Sequence, residues 1–291
     1  MKIFFALSII LSLSLLLVCC QKEVSSEIGR SQQDSSAVDT SKLLIRTVFK
    51  TPGSPDSVVT VYSYDNKKKL AGYDIVNPAT DEHFNFQFTR NANGIVTKII
   101  KTEEFTGPGG QTYISNEDVF YDVSVPGYSY IISTATISGD VTRDSIVFNY
   151  DANKRINLSQ TYEKSSATAN LYVLIWKTEY IYNAAGDLTG ENFYDDFSFS
   201  GNLSLNTNGS FEYDNKTAPL VLKNEAFLFD FFTPVETISL HNITKATYTY
   251  SFPPSDIITM AYTYNSENKP ATALHTGLPQ NVVSNITYYY Q

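Results

Sequence analysis

The sequence predicts an all-β fold, an antiparallel meander of β-hairpins that curls into a barrel or half-barrel. One unit recurs along the chain: an aromatic residue, any residue, tyrosine, then Asp or Asn. The stretches around it are rich in β-branched and aromatic residues, and no segment shows a helical period of any length. We expect about 12–14 strands, more than usually remain in a flat open sheet.

The N-terminal segment predicts export and lipid attachment. Lys2 provides a positive start, and residues 3–18 form an almost entirely apolar run, which is typical of a secretory signal. The run ends at Leu17-Val18-Cys19-Cys20, which matches the bacterial lipobox, where a small residue precedes the cysteine that takes the lipid. The second cysteine has the smaller neighbour, so we predict a signal peptide over residues 1–19 and lipidation at Cys20. A plain transmembrane anchor is the alternative, but about 16 apolar residues are short for a span of roughly 20.

Residues 20–41 are expected to form a disordered tether behind the lipidated cysteine. Ser, Gln and Glu dominate this stretch and no aromatic residue occurs in it, so it cannot build a core. Residues 42–291 are then the repetitive all-β domain, of a size at which a single all-β domain is normal. That domain contains no cysteine, which excludes a disulfide framework, a cysteine nucleophile and a cysteine-ligated metal within it.

The repeat occurs in six copies. Its first position is aromatic, its third is Tyr except for Arg90, and its fourth is Asp or Asn. Six residues after the third position comes an apolar residue or proline, with turn-forming Asn and Gly between. The positions that define the copies are Tyr62, Tyr64 and Asp65; Phe88 and Asn91; Phe148, Tyr150 and Asp151; Tyr180, Tyr182 and Asn183; Phe211, Tyr213 and Asp214; and Tyr262, Tyr264 and Asn265. A degenerate copy at Tyr121-Asp122 would make the spacing close to 30 residues in the middle of the chain.

The chemistry of this unit predicts a β-hairpin. Aromatic residues two apart project from one face of a strand, and the following Asp or Asn can accept a hydrogen bond from the backbone two residues on. The apolar residue or proline would then start the return strand, as Ile156 does before Leu158, Gln160 and Tyr162, which are expected to share its face. Pro219 and Pro270 belong at a first strand position or on an edge. We expect the repeated aromatic residues to pack in the core.

The unit Y-x-Y-D-x-x-[GK]-[RKD]-[LI] resembles the YD repeats of the RHS family. The segments Phe211–Pro219, Asn242–Lys245 and Tyr262–Pro270 also resemble a group of uncharacterised Bacteroidota lipoproteins, which carries Y-D-N-K-x-x-P, then N-N-[IV]-T-K, then Y-x-Y-N-x-x-x-x-P. The resemblance covers most of residues 42–291 and departs from the pattern at Thr217-Ala218 and at His241. It implies a repetitive fold and a cell-envelope address, with Cys20-Gln21-Lys22-Glu23 similar to a surface-export signal, and it implies no catalytic residue.

The charge of the chain argues against nucleic acid as a partner. The chain has 21 Lys and Arg against 30 Asp and Glu, for a net charge of −9, and loss of Lys2 with the signal brings it to −10. Binding a phosphate backbone needs clustered cations. The densest basic run, Lys67-Lys68-Lys69, lies in a predicted turn and is interpreted as a solvated loop.

Neither a cofactor nor a metal site is predicted. The three histidines, His83, His241 and His275, are far apart and lack ligand spacing, so surface or turn positions are expected for them. The densest acidic cluster is Glu191, Asp195 and Asp196. It lacks the Asp-x-Asp-x-Asp-Gly pattern of a calcium loop, so we interpret it as an acidic loop facing water.

Catalytic motifs are also missing from the sequence. The stretch Gly127-Tyr-Ser129-Tyr-Ile131 fails the G-x-S-x-G pattern at its last position, and residues 106–112 lack the Gly-Lys-Ser/Thr of a phosphate-binding loop. Paired carboxylates for glycoside hydrolysis remain open because their spacing is three-dimensional.

The sequence therefore favours a non-catalytic cell-envelope lipoprotein, a binding or scaffold module on the outer membrane. Its expected partners are the membrane, through acylated Cys20, and a glycan or an envelope protein. Two alternatives remain: a glycan-acting hydrolase with carboxylates on its loops, and an integral outer-membrane β-barrel, which many short strands favour but a lipid tether does not.

Overall fold

Sixteen antiparallel strands close into a single barrel. The computed structural model describes residues 42–105, 111–122, 127–137, 140–164, 171–196, 198, 200–229, 235–252 and 254–291. The predicted signal peptide (1–19), the lipidation site Cys20 and the tether (20–41) lie outside the described residues. The predicted antiparallel meander and barrel are confirmed, since each strand pairs with its sequence neighbours and β1 pairs with β16. The expected strand number of about 12–14 is too low.

The strands are neighbours in the barrel in the same order as in the sequence, without a crossover. They are β1 Leu44–Lys50, β2 Val58–Tyr64, β3 Leu70–Asn77, β4 Glu82–Arg90, β5 Val96–Phe105, β6 Gln111–Asp122, β7 Gly127–Ile137, β8 Asp140–Tyr150, β9 Ile156–Lys164, β10 Tyr172–Tyr182, β11 Leu188–Asp195, β12 Ser204–Thr217, β13 His241–Tyr250, β14 Asp256–Tyr264, β15 Pro270–Leu278 and β16 Val282–Tyr290. The even strands β2 to β14 all end at the rim where β1 begins. We call this the Tyr-Asp rim and the opposite one the loop rim.

Five turns at the Tyr-Asp rim share one backbone conformation. In the turn after β2, the backbone N–H of Asp65 donates to the carbonyl of Lys69, and Lys68 donates back to Asp65. The same two bonds recur after β4, β8, β10 and β14. The residue three after the Asp or Asn adopts positive φ in every case: Lys68, Gly94, Lys154, Gly186 and Asn268. Such a residue closes a hairpin built on a type I turn.

Each of these hairpins carries a β-bulge at the start of its return strand. In the β8–β9 pair, Asn149 lies opposite Leu158 but Tyr150 lies opposite Ile156, so residue 157 is the extra one. A bulge reverses the inward and outward phase of the strand. Ile156 is therefore buried in the core, whereas Leu158, Gln160 and Tyr162 turn to the other face, which corrects the expectation that all four share one.

The fifth copy of the repeat does not make a tight hairpin. After β12 the chain folds into the barrel instead of returning directly, and β13 begins only at His241. We call residues 218–229 and 235–240 the plug. It contains a 3-10 helix, Lys223–Phe229, and a short helix α1, Val235–Ile238, neither of which the sequence pattern predicted. Pro219 belongs to this plug and not to a strand, whereas Pro270 is the first residue of β15.

The plug completes the hydrophobic core at the Tyr-Asp rim. Ala226, Phe227 and Leu228 are buried in one cluster with residues from strands all round the barrel. Phe229 stacks on Tyr73 of β3, with ring centroids 4.4 Å apart, and Phe227 meets Phe148 of β8 at 5.4 Å. The plug thus joins strands from separate parts of the wall. Within the described residues, no helix is long and apolar enough to cross a membrane.

Candidate functional site

The third-position side chains of the repeat form a ring of hydrogen bonds along the Tyr-Asp rim. Tyr64 Oη donates to the carbonyl of Leu44 at 2.7 Å, and Tyr182 Oη donates to Ile156 at 2.7 Å. Further links of the same kind join Tyr150 to Tyr128, Tyr213 to Leu188 and Tyr290 to Pro270. Arg90, the exception in the repeat, takes the same place: two N–H groups of its guanidinium donate hydrogen bonds to the carbonyl of Leu70. The ring ties each hairpin to the preceding one.

The fourth-position Asp or Asn of each copy accepts backbone hydrogen bonds within its own turn. Asp65 Oδ1 accepts from the N–H groups of Lys67 and Lys69, at 2.8 and 2.9 Å. The same acceptor role falls to Asn91, Asp151, Asn183, Asp214 and Asn265. The first-position aromatic residues lie on the inner face: Phe88, Phe148, Tyr180 and Phe211 are buried, and Tyr62 packs against the core.

Three motif segments that are far apart in sequence meet at one point of this rim. Asp214, from the segment that begins at Phe211, accepts hydrogen bonds from the backbone N–H and the Nδ2 of Asn242. Tyr264 donates its hydroxyl to the same carboxylate. Asp214, Asn242 and Tyr264 therefore hold together the strands on either side of the plug, which gives the motifs a structural role.

A buried ion pair fixes the plug to the wall. The guanidinium of Arg90 binds both carboxylate oxygens of Glu225, each at 2.8 Å, and Tyr128 Oη donates to the same carboxylate at 2.7 Å. Burial opposes ionisation of Arg90, but the hydrogen bond and the charge of Glu225 outweigh it and raise the pKa. Bidentate geometry of this kind is the strong form of such a pair.

Above the plug the barrel encloses a lumen whose floor carries an acidic group. Glu236 lies on α1, and burial among protein atoms raises its pKa, yet its side chain is exposed to solvent inside the barrel. Tyr62, Tyr248, Tyr262 and Tyr288 lie close enough for its charge to add to burial in raising the pKa of each hydroxyl. The floor thus combines a carboxylate with tyrosine side chains from four strands.

Glu191 is a further carboxyl group on the inner face of the barrel. It lies on the inner face of β11, opposite Tyr180 on β10 and Gly209 on β12, and it is 7% exposed. Burial raises its pKa to about 7. A Cβ at Gly209 would lie 2.9 Å from Cγ of Glu191, so the glycine provides the space that this side chain occupies. Its charge also acts on Tyr248, as that of Glu236 does.

A row of carboxylates crosses the opposite wall. Glu117, Asp144 and Glu163 lie on β6, β8 and β9 at matching register, with Ser133 of β7 between the first two. Lys101 Nζ pairs with Glu117 Oε1 at 2.7 Å. Within the described residues Glu117 Oε2 and Asp144 Oδ1 are buried without a hydrogen-bond partner. Burial, and then the charges of Glu163 and Glu117, raise the pKa of Asp144 to about 6.

The interpretation of Glu191, Asp195 and Asp196 as a water-facing acidic loop is wrong. All three are buried, at 7%, 6% and 4% exposure. Glu191 and Asp195 belong to β11 and face inward, whereas Asp196 follows that strand and accepts hydrogen bonds from Ser198, Ser200 and the backbone of Gly201. The three residues are close in sequence but lie in two environments, because Glu191 and Asp195 face inward from β11 whereas Asp196 belongs to the turn after that strand.

The histidines lie apart, and one placement was not expected. His83 lies on the outer face between Asp74 and Glu104, and His241 contacts Asp187 beside the plug exit. His275 faces the lumen and meets Phe49 edge-on at 5.9 Å, so it is not a surface or turn residue. Burial lowers its pKa. Among the described residues no group of His, Cys, Asp and Glu has the arrangement of a metal site.

Polar side chains cross the outer wall near the loop rim and at mid-strand. Asp74, His83 and Glu104 form a row over β3, β4 and β5, with contacts of 3.3 and 3.4 Å. On the other side, Lys245 of β13 pairs with Glu212 of β12 at 2.9 Å. The large apolar side chains exposed between such rows include Val61, Val76, Ile114, Ile181, Leu274 and Tyr289. A transmembrane barrel carries an apolar band about 25 Å tall on its outer face, and the charged rows interrupt the outer face of this barrel.

Comparison with known proteins supports the fold. No family model and no curated protein matches the chain. A solved structure described as a porin-like protein from Bacteroides uniformis is 12% identical, with a TM-score of 0.52 over 85% of this chain and 98% of that one. A porin-like protein from Bacteroides vulgatus is also 12% identical, with a TM-score of 0.46 over 86% of this chain and 99% of that one. The likeness to the first protein is one of fold.

Sequence reasoning did not single out the lumen carboxylates, although one signal was present. Asp144 precedes Phe148 and Tyr150 by even steps along β8, so counting by two from the repeat places it on the inner face. Glu191 requires knowledge of the bulge after Leu188. For Glu236 no strand pattern exists, because the plug places it in the lumen.

Proposed function

We propose that the protein is a lipid-anchored module of the bacterial cell envelope that binds a ligand in the barrel lumen without acting on it chemically. The observation that carries this proposal is the polarity of the barrel: its core is aromatic, and its outer wall bears the Lys245–Glu212 ion pair at mid-strand. Charged groups at a bilayer midplane cost roughly 2–4 kcal/mol each for Lys or Arg. A barrel of this kind suits an aqueous compartment, with acylated Cys20 as its attachment to the membrane.

The lumen supplies the reason for a binding role. Two carboxylate oxygens of the inner wall, Glu117 Oε2 and Asp144 Oδ1, are buried without a hydrogen-bond partner among the described residues, and buried polar groups normally have partners. An envelope glycan or an envelope protein segment could offer the missing donors. The description of the Bacteroides uniformis neighbour as porin-like supports an envelope address, and the resemblance to Bacteroidota lipoproteins supports the anchor.

Membrane fractionation of the full-length chain tests this proposal. We expect the wild-type protein to remain with membranes after an alkaline carbonate wash, and Cys20→Ser to appear in the soluble fraction with β-sheet circular dichroism in the absence of detergent. Cys19→Ser is the matched control and should retain lipid labelling. If Cys20→Ser stays with the membrane and needs detergent for its β-sheet signal, the integral-barrel alternative is correct.

A glycan-acting hydrolase is the second candidate, favoured by the carboxylate row. Asp144 has its pKa raised to about 6 by burial and by Glu163 and Glu117, which is the property of a general acid. These groups come from strands and not from loops. Asp144→Asn should abolish hydrolysis of any glycan substrate if this candidate is right, and should leave glycan binding intact if the lumen only binds.

A further inference from the structure

A row of polar side chains runs across four neighbouring strands on the inner face of the barrel. Glu117 of β6 lies opposite Ser133 of β7, and Ser133 lies opposite Asp144 of β8. Asp144 in turn lies opposite Glu163 of β9. Residues directly opposite each other in antiparallel strands share one face of the sheet and are close neighbours. The register of the strands alone therefore brings three carboxyl groups and one hydroxyl group together.

The row lies against the hydrophobic core. Two residues along the same strands, towards the Tyr-Asp rim, Val119, Ile131 and Ile146 are buried in the core cluster. Glu117 itself is 1% exposed, and its Oε2 and Asp144 Oδ1 are buried without a hydrogen-bond partner among the described residues. A carboxylate oxygen that is removed from water without a partner carries a large free-energy penalty. The row therefore requires a hydrogen-bond donor from outside the described residues.

The acidic charge of the row exceeds the positive charge that this wall supplies. Among the described residues, Lys101 of β5 is the cation that an ion pair joins to the row, through Glu117 Oε1 at 2.7 Å. Four loop segments between β5 and β10 lie outside the described residues: 106–110, 123–126, 138–139 and 165–170. None of these segments contains Lys, Arg or His, so they cannot supply a further cation. A ligand that matches the row should therefore bring positive charge together with its donors.

The spacing of the row favours a planar cation. The small Ser133 side chain separates Glu117 from Asp144, whose strands are two spacings apart, about 10 Å. A guanidinium carries donors on opposite edges of a rigid plane, whereas an ammonium is a compact point charge that water hydrates more strongly. The same barrel uses a guanidinium at the Tyr-Asp rim, where Arg90 joins the wall to Glu225 of the plug. The described residues contain no acidic group with the arrangement of a metal site.

We infer that this row is a binding site for a guanidinium group, held between Glu117 and Asp144 above Ser133. The chemistry is that of an arginine side chain, so the ligand class is an arginine-bearing protein segment. A neutral glycan would offer hydroxyl donors but would leave the charge of the row without a counter-ion. The inference rests on the proposed function, since it assumes that the lumen takes a ligand.

Calorimetric titration of the full mature chain carrying Cys20→Ser tests the inference. The probes are N-acetyl-arginine methylamide, its neutral isostere N-acetyl-citrulline methylamide, N-acetyl-lysine methylamide and methyl glucoside. We expect the arginine probe to bind, and the citrulline and lysine probes to bind at least about tenfold more weakly, because each loses the charge or the planar donor set. Methyl glucoside, which represents a neutral glycan, should not bind.

Charge variants locate the site of binding. Asp144→Asn removes the charge and keeps the Oδ1 acceptor, so it should weaken binding of the arginine probe by about tenfold or more while a neutral ligand keeps its hydrogen bonds. Glu117→Gln should have an effect of the same size. If loss of the ion pair with Lys101 prevents folding of that variant, as circular dichroism would show, Asp144→Asn decides the test. Glu212→Gln makes the same charge change on the outer wall and should alter binding by less than about twofold.

A variant of the spacer tests the geometry without changing the charge. Ser133→Leu fills the space between the two carboxyl groups and should abolish binding of the arginine probe. Thr134→Leu is the matched control, since the next residue of the strand faces outward, and it should leave binding unchanged. Equal loss in both variants would overturn the placement of the ligand above Ser133.

The other outcomes separate this inference from the proposed function. Equal binding of the arginine probe and either the citrulline or the lysine probe would overturn the guanidinium assignment. Binding of methyl glucoside alone would also overturn it and would support a glycan as the ligand of the lumen. If no probe binds, or if Asp144→Asn and Glu212→Gln act equally, the inference fails. The envelope anchoring is decided independently by the carbonate fractionation of the Cys20 variant.

Discussion

The hydroxyl of Tyr182 donates to the backbone carbonyl of Ile156, 2.7 Å away on the neighbouring hairpin. Replacement by phenylalanine removes this bond alone and should lower the free energy of unfolding by about 1 kcal/mol. Tyr182→Ala also removes a ring that packs on the core, so the loss should reach about 3 kcal/mol or more. Urea unfolding measures both changes.

The control for this prediction is Tyr289→Phe on the outer face, where 43% of the residue is exposed. It should change stability by less than about 0.5 kcal/mol. An unchanged melting temperature for Tyr182→Ala would contradict a structural role for the repeated aromatic residues and favour their use as an exposed binding row.

Asp151 should act chiefly as an acceptor in its turn. Its Oδ1 accepts from the N–H groups of Asn153 and Arg155, each at 2.9 Å, so Asp151→Ala should cost about 1 kcal/mol of unfolding free energy. Asp151→Asn keeps that acceptor, as Asn91 and Asn183 do in other copies, and should cost less. Chemical denaturation distinguishes the two. Equal losses would assign the effect to the ion pair with Arg155 and not to the turn.

Removal of Glu225 should destabilise the protein strongly. Its partner Arg90 is buried, with 7% of its side chain exposed, and would be left with an uncompensated charge. Glu225→Ala is therefore expected to cost about 3–5 kcal/mol. The exposed pair of Glu212 and Lys245 provides the comparison, since Glu212→Ala should cost less than about 1 kcal/mol. Similar losses for both variants in urea unfolding would show that the pair does not anchor the plug.

Glu191 should make the protein less stable as the pH rises. Burial raises its pKa from 4.5 to about 7 in the folded state, so the folded protein binds more protons than the unfolded one between these values. Its contribution is fully present below the unfolded pKa and is lost as the pH rises through the folded pKa. The difference corresponds to about 3 kcal/mol.

Glu191→Gln, an uncharged isostere, should remove this part of the pH dependence and should be more stable than wild type at pH 8. Unfolding curves from pH 4.5 to pH 8 measure it. Asp144→Asn is a parallel variant, because the loss of stability that the Asp144 carboxyl causes in the wild type should level off above about pH 6. Parallel pH profiles for wild type and Glu191→Gln would show that the Glu191 carboxyl is not held protonated by the fold.

Local chemistry alone determined the hairpins of this protein. The Asp or Asn at the fourth position of the repeat accepts backbone hydrogen bonds within its own turn, and the glycine or asparagine that follows in the turn favours its backbone conformation. Both effects extend over a few residues only. The repeat therefore predicts the meander and the turns, as at Asp65 and Asn265. The strand count was underestimated because the six repeat hairpins and the degenerate Tyr121-Asp122 copy account for β2 to β15 only, whereas β1 and β16, which close the barrel, belong to no repeat hairpin.

Apart from Asp144, which even spacing from Phe148 and Tyr150 places on the inner face, tertiary structure decided which side chains face the lumen. A β-bulge adds one residue and reverses the strand phase, so Glu191 faces inward although its neighbours in sequence suggested a solvated loop. The plug likewise carries no periodic signal, because its helices are short and its burial depends on rings such as Tyr73 and Phe148 on strands far away in sequence. The site around Glu236 exists only because the sheet closes on itself and the plug fills one end.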